Sequence, residues 1–379
     1  VKVLIAIDSF KESISSIKGS EAISKGIKEV YQDSEIVTLP LADGGEGTVD
    51  SLVHATEGQL IKMKVTGPLN EKLEAIYGIL GDDKTAVIEV ASACGLPLIP
   101  EKYRNPLLTT TYGVGELISD ALDKGCNNFV IGLGGSATND AGVGMLRALG
   151  FHFMDRHNNE VGFGGKVLED IHKINTEYVN PRLEGCVFNV ACDVNNLLYG
   201  TEGAAYIFGP QKGASEDMVK ELDTGLKHFA HVVLRDLGQD IHNIKGAGAA
   251  GGLGAAFYGF LNANLQSGIE LILDHIGMKA HMQGADFVIT GEGKMDGQTS
   301  MGKAPLGVAQ MAKKNNIPVI ALAGGVTDET SELNELGVTS YFSITSAPMS
   351  LEEAMTWKTT YNNLQSTSKQ LFRLIRASR

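Results

Sequence analysis

ADFVITGEGKMDGQTSMGKAPLGVA, residues Ala285–Ala309, decides how this chain is built. Phe287–Thr290 is a short apolar, β-prone run that reads as a buried strand, and Pro305–Lys314 has helical spacing. Between them, glycines alternate with Glu292, Lys294, Asp296, Thr299 and Lys303. Strand, glycine-rich connection and helix in succession are the unit from which parallel α/β layers are made. Glycine lets a backbone approach a ligand closely, and a helix N-terminus turns N–H groups toward an anion. Carboxylates there suit a hard cation such as Mg²⁺, and lysines suit phosphate. The stretch therefore offers Gly291, Gly293, Lys294, Gly297, Thr299 and Lys303 as candidates to hold a nucleotide, with Glu292 and Asp296 as candidate Mg²⁺ ligands. Gly297–Lys303 has the G-x-x-x-x-G-K spacing of a P-loop, but Ala304 stands where that motif needs Ser or Thr. The strand is also expected to end at Thr290, too early for a Walker turn.

The start of the chain has the same style. Val1–Ile7 is a continuous apolar strand, Ser20–Tyr31 a helix with Ala22, Ile23, Ile27 and Val30 on one face, and Glu35–Leu41 a second strand. Strands with so few polar positions are those buried on both faces of a parallel sheet. Beyond Lys314 come two more strands, Pro318–Ala323 and Ser340–Thr345, and a closing amphipathic helix, Leu351–Ile375. Between the two ends the style changes. Gln59–Ser92 reads as three antiparallel strands joined at GPLN (67–70) and GDDK (81–84), after which helices and strands mix. The expected fold is α/β: a doubly wound parallel-sheet domain made of both chain ends, 1–68 and 285–379, with a mixed α/β domain, 69–284, inserted between them.

Composition narrows the function classes. Glycine is the outlier, 46 of 379 residues, about 12% against a usual ~7%, with no collagen-like period. The excess points to turns and backbone-lined sites. A net charge of −13 argues against nucleic acid or an anionic membrane as the partner, so an anionic substrate needs a local cluster of positive groups. No run approaches the roughly 18 apolar residues of a membrane helix. VKVLIAID reads as a strand and not as a signal peptide. The four cysteines, Cys94, Cys126, Cys186 and Cys192, lack C-x-x-C spacing, which fits free thiols in a reducing cytoplasm better than zinc.

Ligands of open α/β sheets bind beyond the carboxyl ends of the strands, and several strand ends here carry site-like residues. Asp8 can bind metal or take a proton and Lys11 can meet a phosphate; the plainer alternative is a capped helix start. Asp43 and Glu46 flank glycines before a helix, as candidate substrate residues or as an N-cap with its third-position partner. In LGGSATNDAGVG (133–144), Ser136 and Thr138 offer donors, while Asn139 and Asp140 can orient a metal or a hydroxyl. Asp193 follows the apolar run Cys186–Ala191, as a metal ligand, a general base or an Asx-turn residue. Lys245 stands beside the glycine-rich GAGAAGGLGAAF, and Arg104 can grip a carboxylate with its planar fork. The nine histidines show no ligand or triad spacing.

In order along the chain, IAIDSFKES (5–13), LADGGEGT (41–48), IEVASACGL (88–96), RNPLLTTTYGVGELI (104–118) and IGLGGSATNDAGVGML (131–146) resemble the bacterial glycerate kinase family. So do CDVNNLLYGTEGA (192–204), IFGPQKGAS (207–215), KGAGAAGGLGAAF (245–257), TGEGKMDGQTSMGKAPLGVA (290–309) and LAGGV (322–326). The resemblance implies two dissimilar α/β domains, one of them Rossmann-like and built from both chain ends. It implies a cytoplasmic kinase that uses ATP and Mg²⁺ to phosphorylate D-glycerate, with 2-phosphoglycerate the favoured product and neither nucleic acid nor membrane as partner. On that reading Asp193 is the base for the substrate hydroxyl or a metal ligand, and Asp8, Lys11 and Lys245 are further catalytic candidates. Arg104 and Ser136 would take the glycerate carboxylate, with Thr138, Asn139, Asp43 and Glu46 completing the substrate set. The alternatives are a non-catalytic sensor of a nucleotide or hydroxy acid, and a kinase for a related small hydroxy acid. Two departures stand out: Glu12 where the family more often has glycine, and Asn196-Leu197 for a frequent Asn-Pro.

Overall fold

The computed structural model describes residues 1–297, 299 and 303–378. The chain folds as two compact α/β units. One comprises Val1–Asp43, Asp50–Thr56 and the chain from Ile269, and the other Gly44–Val49 and Glu57–Gly268. Among the described residues no helix is long and apolar enough to cross a membrane.

The first unit is a five-stranded, wholly parallel sheet. From one edge to the other the strands are Ser340–Ser343, Val319–Val326, Phe287–Met295, Lys2–Ile7 and Glu35–Thr38. Val3 to Ile7 are fully buried, as expected of a central strand covered on both faces. Ser16–Lys28 is capped by Ser15, whose Oγ accepts the Lys18 N–H at 3.3 Å. Its Gly26 lies against the Trp357–Ser378 helix, where a Cβ would come within 2.2 Å of the Gln365 carbonyl. The chain runs outward in opposite directions from the neighbouring strands Lys2–Ile7 and Phe287–Met295, so their carboxyl ends form the switch point of the sheet.

Two sequence expectations need correction here. The strand expected to stop at Thr290 continues to Met295, with Lys294 opposite Gly325 and Met295 opposite Val326. Its glycines serve close strand packing: a Cβ on Gly291 would sit 2.3 Å from the Leu322 carbonyl, and one on Gly324 would sit 2.6 Å from that of Gly293. The P-loop-like spacing of Gly297–Lys303 lies partly outside the described residues. The closing helix is two helices, Leu351–Ala354 and Trp357–Ser378, the first starting from a capping box of Ser350 and Glu353.

The second unit is a six-stranded mixed sheet ordered Asn264–Gln266, Val187–Ala191, Asn128–Gly132, Thr85–Glu89, Lys72–Ile79 and Gln59–Thr66. The first four strands are parallel, and the last two join antiparallel. Gln59–Thr66 therefore pairs here, although the expected boundary at 68 put it in the first domain. The turn at 67–70 ties it to Lys72–Ile79 as a hairpin. At the other boundary, the chain from Ile269, rather than from 285, goes with the first unit. Phe129, Phe153, Phe229 and Phe257 fill the core, with Phe129 stacked on Phe188 at 4.6 Å between ring centroids.

Candidate active site

In the first unit, a cavity of about 660 Å³ opens at the carboxyl ends of the parallel strands. Asp8 follows Lys2–Ile7 directly and is anchored by its own N–H, which donates to the Gly291 carbonyl at 2.9 Å. Its Oδ1 accepts the Ser9 N–H at 2.6 Å, and the residue is only 5% exposed. Burial pushes its carboxyl up to about 7; Asp43 and Glu292 add to this, and the Ser9 N–H and Lys11 oppose it. Glu292, 7% exposed, has its Oε1 held by the Thr299 hydroxyl at 2.5 Å. Burial raises its carboxyl too, against the Thr299 bond and Lys303.

Each cavity lysine meets a carboxylate: Lys11 and Asp43 at 3.8 Å, Lys294 and Asp296 at 3.1 Å, Lys303 and Glu292 at 3.9 Å. Two of these pairs, Lys11 with Asp43 and Lys303 with Glu292, are long, and Lys11 is well exposed to solvent, so the partners are held loosely. Glu12, beside Lys11, adopts φ +60°. That is the left-handed conformation which glycine takes freely and other residues rarely adopt.

The second unit also gathers polar groups at the carboxyl ends of its parallel strands. Glu89, Gly132, Ala191 and Gln266 stand level in register. Gly44 and Gly45 cross these ends at close range: a Cβ on Gly132 would lie 2.3 Å from the Gly44 carbonyl, and one on Gly44 would lie 2.5 Å from Ala191 Cβ. Only glycine tolerates this crossing. Glu89 Oε1 accepts the Val49 N–H at 2.9 Å, and Asp193 Oδ1 accepts the Gly268 N–H at 3.0 Å. Asp193 is exposed. The Gly246 backbone packs against Cys192 Sγ, which brings the Lys245 position beside Asp193. The Gly134–Ala137 turn is braced by Leu96 N–H to the Gly135 carbonyl and Ala137 N–H to the Cys94 carbonyl, both at 2.8 Å.

Lys212 escaped the sequence reading. It is 2% exposed, and its Nζ donates to Ser136 Oγ at 3.0 Å and to the Thr138 carbonyl at 2.7 Å. Burial lowers its ammonium to about 8, against the pull of Cys94 and Asp140. Lys212→Met keeps the stem's volume but strips both acceptors of their donor. It is expected to lower the unfolding free energy by about 2 kcal/mol in urea titrations.

The structure groups most of the sequence candidates in two sets. Asp8, Lys11, Asp43, Glu292, Gly293, Lys294, Asp296 and Lys303 line the first unit's cavity. Arg104, Ser136, Glu46, Asp193 and Lys245 belong to the second unit, where the Arg104 backbone lies against Gly213, next to Lys212. Asp43 and Glu46, three positions apart and taken together as substrate residues, fall in different units. Gly291 is taken up by the sheet, and Thr299 works through Glu292. Gly297 lies near Glu329 rather than in the cavity lining. Thr138 and Asn139 are fully buried. Asp140 is structural: its carboxylate accepts the Thr111 N–H and hydroxyl and the N–H groups of Gly142 and Gly144.

A family model described as the glycerate kinase family matches residues 3–376. A glycerate kinase of Bacillus cereus is 49% identical over 371 residues, covering 98% of this chain and 97% of that one. A glycerate 2-kinase of Escherichia coli is 47% identical with the same coverage. A crystal structure from Salmonella typhimurium LT2, provisionally named glycerate kinase 2, superposes with a TM-score of 0.92 at 44% identity. It covers 100% of this chain and 99% of its own. Fold, charged strand ends and these matches define a small-molecule kinase of the α/β class. The chain belongs to the glycerate kinase family.

Proposed function

We propose that this protein transfers the γ-phosphoryl group of ATP to the 2-hydroxyl of D-glycerate, giving ADP and 2-phosphoglycerate. The match over nearly the whole chain to a relative named for 2-phosphorylation carries this reading. Phosphoryl transfer asks the protein for positioning and charge neutralisation rather than a covalent nucleophile. Lys11, Lys294 and Lys303 supply positive charge in the first unit's cavity. In the second unit, Asp193 is assigned as the base that takes the hydroxyl proton, with Arg104 and Ser136 for the substrate carboxylate.

Mg²⁺ fits the residues present. Asp8, Asp43, Glu292 and Asp296 line one cavity; beyond the effect of burial, Asp43 and Glu292 raise the proton affinity of Asp8, and Asp296 and Asp43 raise that of Glu292, a repulsion that a cation relieves. Among the described residues no three His, Cys, Asp or Glu side chains are grouped to hold a metal alone. That suits an ion which takes one or two carboxylates and completes its shell from phosphate and water. Glu292 and Asp296 would hold it, and it would neutralise charge on the phosphate oxygens.

The test mixes protein, ATP, Mg²⁺ and D-glycerate, follows ADP, and assigns the product by phosphorus NMR. Glycerate-dependent ADP with 2-phosphoglycerate is the expected outcome. ADP formation that ignores glycerate rejects the activity, and 3-phosphoglycerate corrects the position.

A further inference from the structure

The first unit's cavity changes character along the sheet. At the ends of Lys2–Ile7 and Phe287–Met295 it is walled by Asp8, Lys11, Glu292, Lys294 and Asp296. Two strands further on, past the ends of Val319–Val326 and Ser340–Ser343, its wall is Val326, Ile344, Met349, Leu351, Ala354 and Met355. Gly324 and Gly325 lie between, leaving bare backbone where the two halves meet. Four neighbouring strand ends border one continuous space. At about 4.8 Å per strand that is a run of roughly 14 Å.

We propose that the adenine ring of the nucleotide docks in this apolar half, between Val326, Ile344 and the Met349–Met355 segment, with its triphosphate at the lysine-bearing end. The inference rests on the kinase reading above and adds where the base binds. A three-carbon hydroxy acid has no apolar surface to match such a wall, and it leaves most of a 660 Å³ space unfilled. A purine has a flat apolar face, and methionine thioethers pack well on aromatic rings. Its polar edge also finds a partner class here. Asn363, on the Trp357–Ser378 helix, lines the cavity with an amide that both donates and accepts. The bare Gly324-Gly325 backbone lets ribose and phosphate pass close to the sheet. At the far end, the long Lys11–Asp43 and Lys303–Glu292 pairs can exchange partners when phosphate arrives.

Two variants test the base site without touching the charged end: Ala354→Trp fills the apolar half, and Met355→Ser strips its wall. In each, KM for ATP is expected to rise roughly tenfold, and competitive inhibition by adenosine to weaken to a similar degree. KM for D-glycerate and inhibition by tripolyphosphate should stay within about twofold, because they do not use the base site. Circular dichroism checks that each variant folds, and either one alone suffices. If KM for ATP and adenosine inhibition match wild type in a folded variant, the base binds elsewhere and this inference is overturned. Failure of the kinase reading looks different: the wild-type protein itself then yields no glycerate-dependent ADP.

Discussion

Asp193→Asn is expected to lower kcat by roughly 10²–10⁴ while the protein keeps its fold. Asparagine has the same shape, and its Oδ1 still accepts the Gly268 N–H that Asp193 holds at 3.0 Å. The segment that joins the Val187–Ala191 strand end to Gly268 therefore keeps its tie. What disappears is the capacity to take a proton from the substrate hydroxyl as the phosphoryl group arrives. KM for glycerate should change only a few-fold, since Arg104 and Ser136, the proposed partners of its carboxylate, are untouched. The two roles open to Asp193 part company in the Mg²⁺ dependence. A lost base leaves kcat depressed at every Mg²⁺ concentration, whereas a lost metal ligand raises the Mg²⁺ requirement and recovers turnover when it is met. Steady-state kinetics across a Mg²⁺ series, with circular dichroism beside it, makes the measurement. Turnover near wild type would remove Asp193 from the mechanism.

The sheet of the first unit was legible because its central strands are buried on both faces and so are written as unbroken apolar runs. Val3–Ile7 and Phe287–Thr290 needed no partner to be recognised. The extension of the second strand to Met295 was not legible. Glycine, glutamate and lysine in alternation read as loop, and the close approach of such a strand is made possible by Gly324 of the neighbouring strand. The 68/285 boundaries slipped for a related reason. A hairpin commits a strand to its partner's sheet, and a linear style change does not reveal which partner that is.

At the candidate site, residues on strand ends were legible and residues reached through tertiary packing were not. Asp8 and Asp193 follow apolar runs and were picked out as candidates that way. Lys212 sits in IFGPQKGAS, a segment that carries part of the family resemblance but in which nothing sets its lysine apart. Its significance comes from burial and from two acceptors more than 70 residues away in sequence. Glu89 was likewise hidden: as the last residue of Thr85–Glu89, its register beside Gly132 is what brings it to the site edge. Thr138 and Asn139 are the opposite case. Their types look functional in sequence, but the turn that carries them is packed inward.

Asp8→Asn is expected to make the metal-free protein more stable at pH 8, by up to about 4 kcal/mol, with the gain fading as the pH falls toward 4. The direction follows from where the carboxyl titrates. Unfolded, it ionises near 3.8; folded, burial and the facing carboxylates of Asp43 and Glu292 hold the proton until about 7, with Lys11 and the Ser9 N–H only partly offsetting them. Below 3.8 the residue is protonated in both states and costs nothing. As the pH rises toward 7, the unfolded chain releases the proton freely while the folded one resists, so stability is lost across that window and the full loss is present above it. Asparagine stays neutral throughout and still accepts the Ser9 N–H, so it escapes the penalty. Urea titrations of both proteins at a series of pH values, without divalent ions, give the difference directly. A gap that is flat with pH would mean that the Asp8 charge is not the source. Adding Mg²⁺ and ADP should narrow the gap, because a cation among these carboxylates favours the ionised form that wild type retains. The same substitution should depress turnover, which is the trade expected where a buried charge is kept for chemistry at the expense of the fold.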